Sequence, residues 1–330
     1  MLQGLDTAAL PAARGPLSDA VITALRSEPD PGRTLAAPGP ADPYGDDLQL
    51  ALHVCYELHY RGFLDVAPEW EWNPGLIRLR SEVEGVFLDA LHDDLPGRPG
   101  VGDVLDELLV EPVDGRGVSH HLLARGEWWQ VRELFAHRSI YHLKEADPHA
   151  WVIPRLTGRA KAALVAVEFD EYGGGRGDRM HSQLFARLLA GAELETGYLR
   201  YLDHVPAVLL ATVNLMSALA LHRARRGALV GHFAATEITT APNATRMAKA
   251  LQRMSAHPDC VEFYTEHIEA DAVHEQVMRH DVVGDLLARE PELTDSVVFG
   301  VRATELLEQR LSDHLLGAWE DGRSSLLRPL

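Results

Sequence analysis

The stretch "EFYTEHIEADAVHEQVMRH", residues 262–280, carries histidines at 267 and 274 with an aspartate at 271 between them. At about 100° per residue around a helix, Asp271 falls roughly 40° and His274 roughly −20° from His267, so the three share one narrow face. Imidazole and carboxylate at that spacing have two chemical uses. They form carboxylate–imidazole ion pairs at a solvated surface, or they hold a metal ion. If the face points inward without a ligand, each polar group needs a buried partner or costs about 1–3 kcal/mol.

Three other places supply donors of the same kind. "LVAVEFDEYGGGRGDRMHSQLFARLL" runs apolar to Val167, then meets Glu168, Asp170, Glu171 and three glycines, then His181. Asp178 is placed to cap the helix that carries His181. A triple glycine lets the backbone turn sharply; the bland alternative is a helix–turn–helix corner with exposed carboxylates. Glu237 is the lone acid between Asp203 and Asp259, in a run of small and apolar residues. Such a carboxylate is buried, and either ligated or paired with Arg223, Arg225 or Arg226. Glu145, before Pro148, reads as a solvated helix end unless the other donors recruit it. Together, His181, His267 and His274 with Glu171, Glu237, Asp271 and Glu145 suit two iron or manganese ions better than one zinc. A structural zinc would want thiolates, and Cys55 and Cys260 form no CxxC pattern.

The elements that must position these groups read as helices. "DDLQLALHVCYELHYRGF" and "PGLIRLRSEVEGVFLDALHDDL" have apolar residues at helical spacing, with Pro74 suited to a first turn. The pattern predicts further helices over about 100–111, 116–145, 155–172, 178–201, 204–225, 227–240, 242–256, 258–281 and 292–320, and a short one near 17–27. The strongest candidate for a strand, "GALVGHFAATEITT", fits a buried helix equally well. The fold class is all-α. Residues 1–44, rich in Pro, Gly, Ala and Asp, read as a loose arm, 45–115 as an N-terminal helical region and 116–330 as the main bundle, the last two open to sharing one core.

The chain of 330 residues is 46% hydrophobic, ample for a sizeable core. Its 31 basic against 49 acidic residues give a net charge of −18, which disfavours nucleic acid and anionic membrane as partners. Two cysteines indicate a reducing compartment, and the start of the chain lacks the form of a signal peptide, so a cytoplasmic location is expected. "VPAVLLATVNLMSALALHRARRG" from Val205 approaches membrane-spanning length, but Asn214 and Ser217 within it favour a buried core helix.

"EFDEYGGGRGDRMHSQLF", then Glu237, then "HIEADAVH" resembles the haem-oxygenase-like di-iron oxidases and oxygenases, the iron-containing redox enzymes. "RSIYHLKEADPHAWVIPRLTGRAKAALV" and "VCYELHYRGF" extend the likeness over roughly residues 46–321. The resemblance implies a bundle of about seven core helices, here with extra N-terminal ones, that binds no haem, holds two irons and activates O2. It implies Glu171 and His181 as the first ligand pair, Glu237 from a middle helix, and His267, Asp271 and His274 from the last. Glu145 sits where N-oxygenating members place an additional carboxylate. That match favours N-oxygenation of a small amine, guanidine or amino-heterocycle in specialised metabolism; desaturation, C–C cleavage or decarboxylation of an amino acid or fatty acid is the alternative. The gap between Glu171 and His181 is wider than in simpler members, and an unbroken helix would put Asp170 on His181's face instead.

Two other classes compete. A ferritin-like di-iron bundle would use Asp178 with His181 and Asp271 with His274, but leaves His267 unexplained. A non-catalytic helical interaction protein would keep these groups as buried ion pairs. For the enzyme, the expected partners are a small-molecule substrate and an external reductant or reductase, since "GGGRG" follows no strand and is not a dinucleotide turn. A homodimer is compatible with the sequence.

Overall fold

A computed structural model describes residues 7–330 apart from 33, 36–38, 98 and 111–114; the side chains of 269–272 are also outside the description. The described chain is all-α. The N-terminal part comprises α1 (Pro16–Leu25), α2 (Asp46–Glu57), α3 (Pro74–Asp94) and α4 (Val101–Leu108). Then follow α5 (Val118–Arg125), α6 (Trp128–His142), the single turn α7 (Asp147–Ala150), α8 (Gly158–Glu171) and α9 (His181–Gly191). The remainder holds α10 (Ala207–Ala220), α11 (Arg226–Arg253), α12 (Pro258–Gln276), α13 (Asp285–Arg289) and α14 (Thr294–Glu320). A π-helical segment, Val277–Gly284, joins α12 to α13.

The ends of these helices follow local chemistry. Asn73 caps α3, its side chain accepting from the amides of Gly75 and Leu76, and Pro74 occupies the first turn. Glu127 and Gln130 form a reciprocal capping box on α6, which ends one helix at Arg125 and starts another at Trp128. The continuous helix expected over 116–145 is therefore two. The expected cap by Asp178 is not made: α9 begins after Met180 without a side-chain cap, and Asp178 is exposed in a 3-10 turn.

α11 and α14 pack closely at two glycines. A Cβ on Gly231 would lie 2.0 Å from the Val297 carbonyl oxygen, and one on Gly300 would lie 1.9 Å from that of Ala228. The two glycines let the backbones touch at the crossing, which fixes α11 and hence Glu237. α10 is buried along nearly its whole length. Its polar residues are satisfied inside: Asn214 donates to the Gln49 carbonyl at 2.8 Å, and Ser217 meets the Tyr60 hydroxyl at 3.0 Å. Among the described residues no single helix is long and apolar enough to cross a membrane. One apolar cluster runs from Leu17 in α1 to Leu326 near the C-terminus, so α1 shares the core of the bundle.

Candidate metal centre

Five elements bring the expected donors to one place: the turn after α6, the end of α8, the start of α9, and the middles of α11 and α12. The turn after α6 is tight. Ala146 has φ of 74°, an uncommon conformation for a non-glycine residue, and a buried ion pair anchors it: Lys144 Nζ to Glu57 Oε2 at 2.7 Å. Glu57 also accepts from the Tyr198 hydroxyl at 2.7 Å. Glu145 is thereby held inward, 9% exposed, rather than at a solvated helix end. Its Oε1 lies 2.7 Å from His142 Nδ1, while Oε2 is buried without a hydrogen-bond partner.

Between α8 and α9 the glycines do what their type allows. Gly173, Gly174 and Gly175 have φ of 71°, 62° and 82°. This reversal brings His181, the first residue of α9, back to the end of α8. His181 Nδ1 is 2.8 Å from Glu171 Oε2. Glu171 is buried, whereas the Asp170 side chain is 58% exposed and touches the centre only at its edge, 3.2 Å from His274 Nε2.

Glu237 on α11 is 3.0 Å from His274 Nδ1 on α12. The arginine alternative does not hold: Glu237 pairs with His274, Arg225 pairs with Glu84, Arg226 with Glu290, and Arg223 is exposed. His267 Nδ1 donates to the Phe263 carbonyl at 2.7 Å. A carbonyl only accepts, so this bond sets the tautomer and turns the Nε2 lone pair toward Glu145, 3.8 Å from Oε1. The Asp271 side chain lies outside the described residues.

The donors fall into two groups. Glu145, His181 and His267 offer one atom each within 4.8 Å of one another, and Glu171, Glu237 and His274 do the same. All six residues are buried. The 2.8 Å contact between Glu171 and His181 links the groups. This set fits a metal by three observations. Glu145 Oε2 is a buried acceptor with nothing to accept. His267 carries the hydrogen bond that orients a ligating imidazole. Mixed imidazole and carboxylate donors suit iron.

Charge in the centre is set by these contacts. Burial works against an ionised Glu145, but His142 and His267 hold its carboxyl well below the usual range. Burial likewise opposes a charged His181, and the Glu171 carboxylate outweighs it, raising the imidazole. Glu168 behaves differently. Burial, reinforced by Glu171, Glu237 and Asp147, pushes its carboxyl up to about 9.

Several residues around the centre escaped the sequence reading. His142, the last residue of α6, lies three residues before Glu145 in the turn that follows, and that short spacing was its signal. Glu168 stood in the acidic cluster; its place three residues before Glu171, after an apolar run, marks it as inward-facing. Lys144 with Glu57 had no local signal, since the partners are 87 residues apart.

An all-α bundle with two adjoining buried histidine–carboxylate triads defines a candidate metal centre with donors of the type iron takes. A model of the iron-containing redox enzyme family matches residues 132–309, more than half of the chain, and the protein belongs to that haem-oxygenase-like family. It is an iron-dependent oxidoreductase. Comparison with curated proteins finds no match. Membership also removes the ferritin-like reading, for which Asp178 would have to face His181 from inside; it is exposed.

Proposed function

We propose that the protein is a non-haem di-iron oxygenase that uses O2 to oxidise the nitrogen of a small amine, guanidine or amino-heterocycle. The observation that carries this reading is the pairing of the two buried triads, each with three donors of the type iron takes. Glu145, His181 and His267 would hold one iron. Glu171, Glu237 and His274 would hold the other, with Asp271 on the same face of α12 as His267 and His274. Bound iron supplies the capacity to bind O2 and pass electrons to it. The chain's own residues supply the rest. Glu145 adds a seventh donor to the six of the core set, and its negative charge favours the oxidised metal. His142 keeps Glu145 ionised and aimed. Phe185 and Phe263, which flank His142, cover the first triad with apolar surface. An external electron donor would be the source of reducing equivalents.

The test is quantitative. Reconstituted wild-type protein should hold two irons per chain by elemental analysis, and its ferrous form should consume O2 faster when an amine is supplied. The product should carry one added oxygen on nitrogen by mass spectrometry. His267→Ala and Glu237→Ala should abolish O2 consumption while the helical circular dichroism persists. One iron per chain would sink the di-iron reading. A product oxidised only at carbon would move the enzyme to the desaturating or cleaving chemistries.

A further inference from the structure

Glu168 is the buried acid that the metal centre does not use. It is 2% exposed, and neither carboxylate oxygen has a hydrogen-bond partner. It belongs to neither triad. Its strongest electrostatic neighbours are Glu171, Glu237 and Asp147, all acids. The basic groups whose charge reaches its neighbour Asp147 are committed elsewhere. Lys144 is bound to Glu57, and Arg61 donates to the Leu143 carbonyl at 2.8 Å and lies over the Tyr198 ring. The Tyr172 hydroxyl, the other donor nearby, is given to Asp147 at 3.0 Å. Two bare acceptor atoms in an acidic, buried wall lack a cationic donor, and the protein provides none among the described residues. Ionised without a partner such a group would be costly, so alone it keeps its proton; something with N–H groups and positive charge would complete it as a carboxylate.

Position says where that something sits. Glu168 and Glu171 are three residues apart on α8, so their side chains are helical neighbours, about 5–6 Å apart at Cβ. A group bound at Glu168 is therefore one turn from the donor that Glu171 offers to iron, outside the ligand set yet beside it. A planar cation with several N–H groups can give one edge to Glu168 and turn another nitrogen toward the centre.

We propose that Glu168 anchors an N–H-bearing organic cation, the positively charged end of the substrate, beside the triad of Glu171, Glu237 and His274. This rests on the di-iron reading above and adds the charge of the substrate and the residue that selects it. The experiment is calorimetric titration of the anaerobic, ferrous holoprotein with butylguanidinium and butylammonium, and with butanol and butyrate as size-matched neutral and anionic controls. Wild type should bind the cations at least tenfold more tightly than either control. Glu168→Gln, which keeps the shape and removes the charge, should weaken the cations at least tenfold and leave iron content unchanged. Glu168→Gln binding the cations as wild type does would overturn the proposal, as would failure of wild type to prefer them. Loss of iron in Glu168→Gln would also overturn it, since Glu168 would then be a ligand. Iron content of wild type reads the di-iron proposal separately: fewer than two irons per chain defeats that reading, whereas full loading with binding indifferent to Glu168 defeats this one.

Discussion

At the scale of single residues, the centre depends on groups that orient donors. Glu145 has one oxygen tied to His142 and the other open. Losing such an orienting partner typically costs 10–100-fold in metal affinity. His142→Phe keeps the ring volume between Phe185 and Phe263 and removes only the hydrogen bond. One of two ferrous sites should weaken by about tenfold or more, with the other unchanged, in an anaerobic iron titration followed by circular dichroism. Two sites that titrate as in wild type would show that His142 does not position Glu145. The donors themselves were legible in the sequence because each broke a local pattern: Glu237 alone in a neutral stretch, and histidines on one face of α12. Glu145 was legible only through a family likeness. What turns it inward is the Lys144–Glu57 pair, and a contact across 87 residues leaves no mark on neighbouring positions.

At the scale of elements, the centre is only as exact as the helix crossings that hold it. α11 carries Glu237, and its register against α14 is set by Gly231 and Gly300. A methyl at Gly300 would overlap the Ala228 carbonyl, so the backbones would have to separate. Overpacking of this kind costs about 1–3 kcal/mol, occasionally more. Gly300→Ala should lower the urea midpoint by a corresponding amount without changing the m-value, and a wild-type midpoint would refute the tight crossing. Gly173→Ala belongs to the same scale. Its φ of 71° and a Cβ 2.6 Å from the Arg179 carbonyl carbon leave no room, so the reversal that delivers His181 to Glu171 should fail. Iron content should drop while most helical signal remains; full iron loading would show that the turn tolerates a side chain. Helix positions were largely readable from apolar spacing, but their junctions were not. Pro242 suggested a break between 227–240 and 242–256, yet α11 runs through it. Hydroxyls back-bond to the helix on both sides of it: Thr239 donates to Ala235, Thr240 to Thr236 and Thr245 to Ala241. Packing on α12 and α14 then holds the helix together across a residue that costs an isolated helix about 3 kcal/mol. The π-helical turn after α12 was likewise invisible, because an inserted residue leaves the apolar period nearly intact over so short a span.

At the scale of the whole molecule, the bundle is closed by buried neutral histidines that acid must charge. His137 on α6 donates through Nε2 to Ser325 Oγ at 3.0 Å, since that hydroxyl gives its own proton to Glu133. This ties the C-terminal segment to the bundle and leaves Nδ1 buried without a partner. His232 on α11 donates through Nδ1 to Thr304 Oγ1 at 2.7 Å, binding α11 to α14. Burial lowers His137 to about 3, helped by the positive neighbours His314 and Arg138, and lowers His232 to about 4 despite Glu308. In the unfolded chain both return to about 6.5. Between about 6.5 and the folded values the unfolded state therefore binds more protons than the native one, so stability rises with pH across that window. It is complete above about pH 6.5 and is lost progressively as the pH falls toward 4 and then 3. Each histidine contributes a slope of up to ~1.4 kcal/mol per pH unit. The metal-free protein should thus show a melting temperature that falls from about pH 6.5 to about 4, the two histidines outweighing the opposite slope of Glu168, whose raised carboxyl instead loses stability as the pH rises toward about 9. His137→Gln retains an amide able to donate to Ser325 and does not titrate, so it should reduce that slope by about one proton's worth while costing little at pH 7. A slope identical to wild type in His137→Gln would mean that this imidazole is charged in the native fold, and the C-terminal closure would then rest on an ion pair with Glu133 rather than on a neutral hydrogen-bond chain.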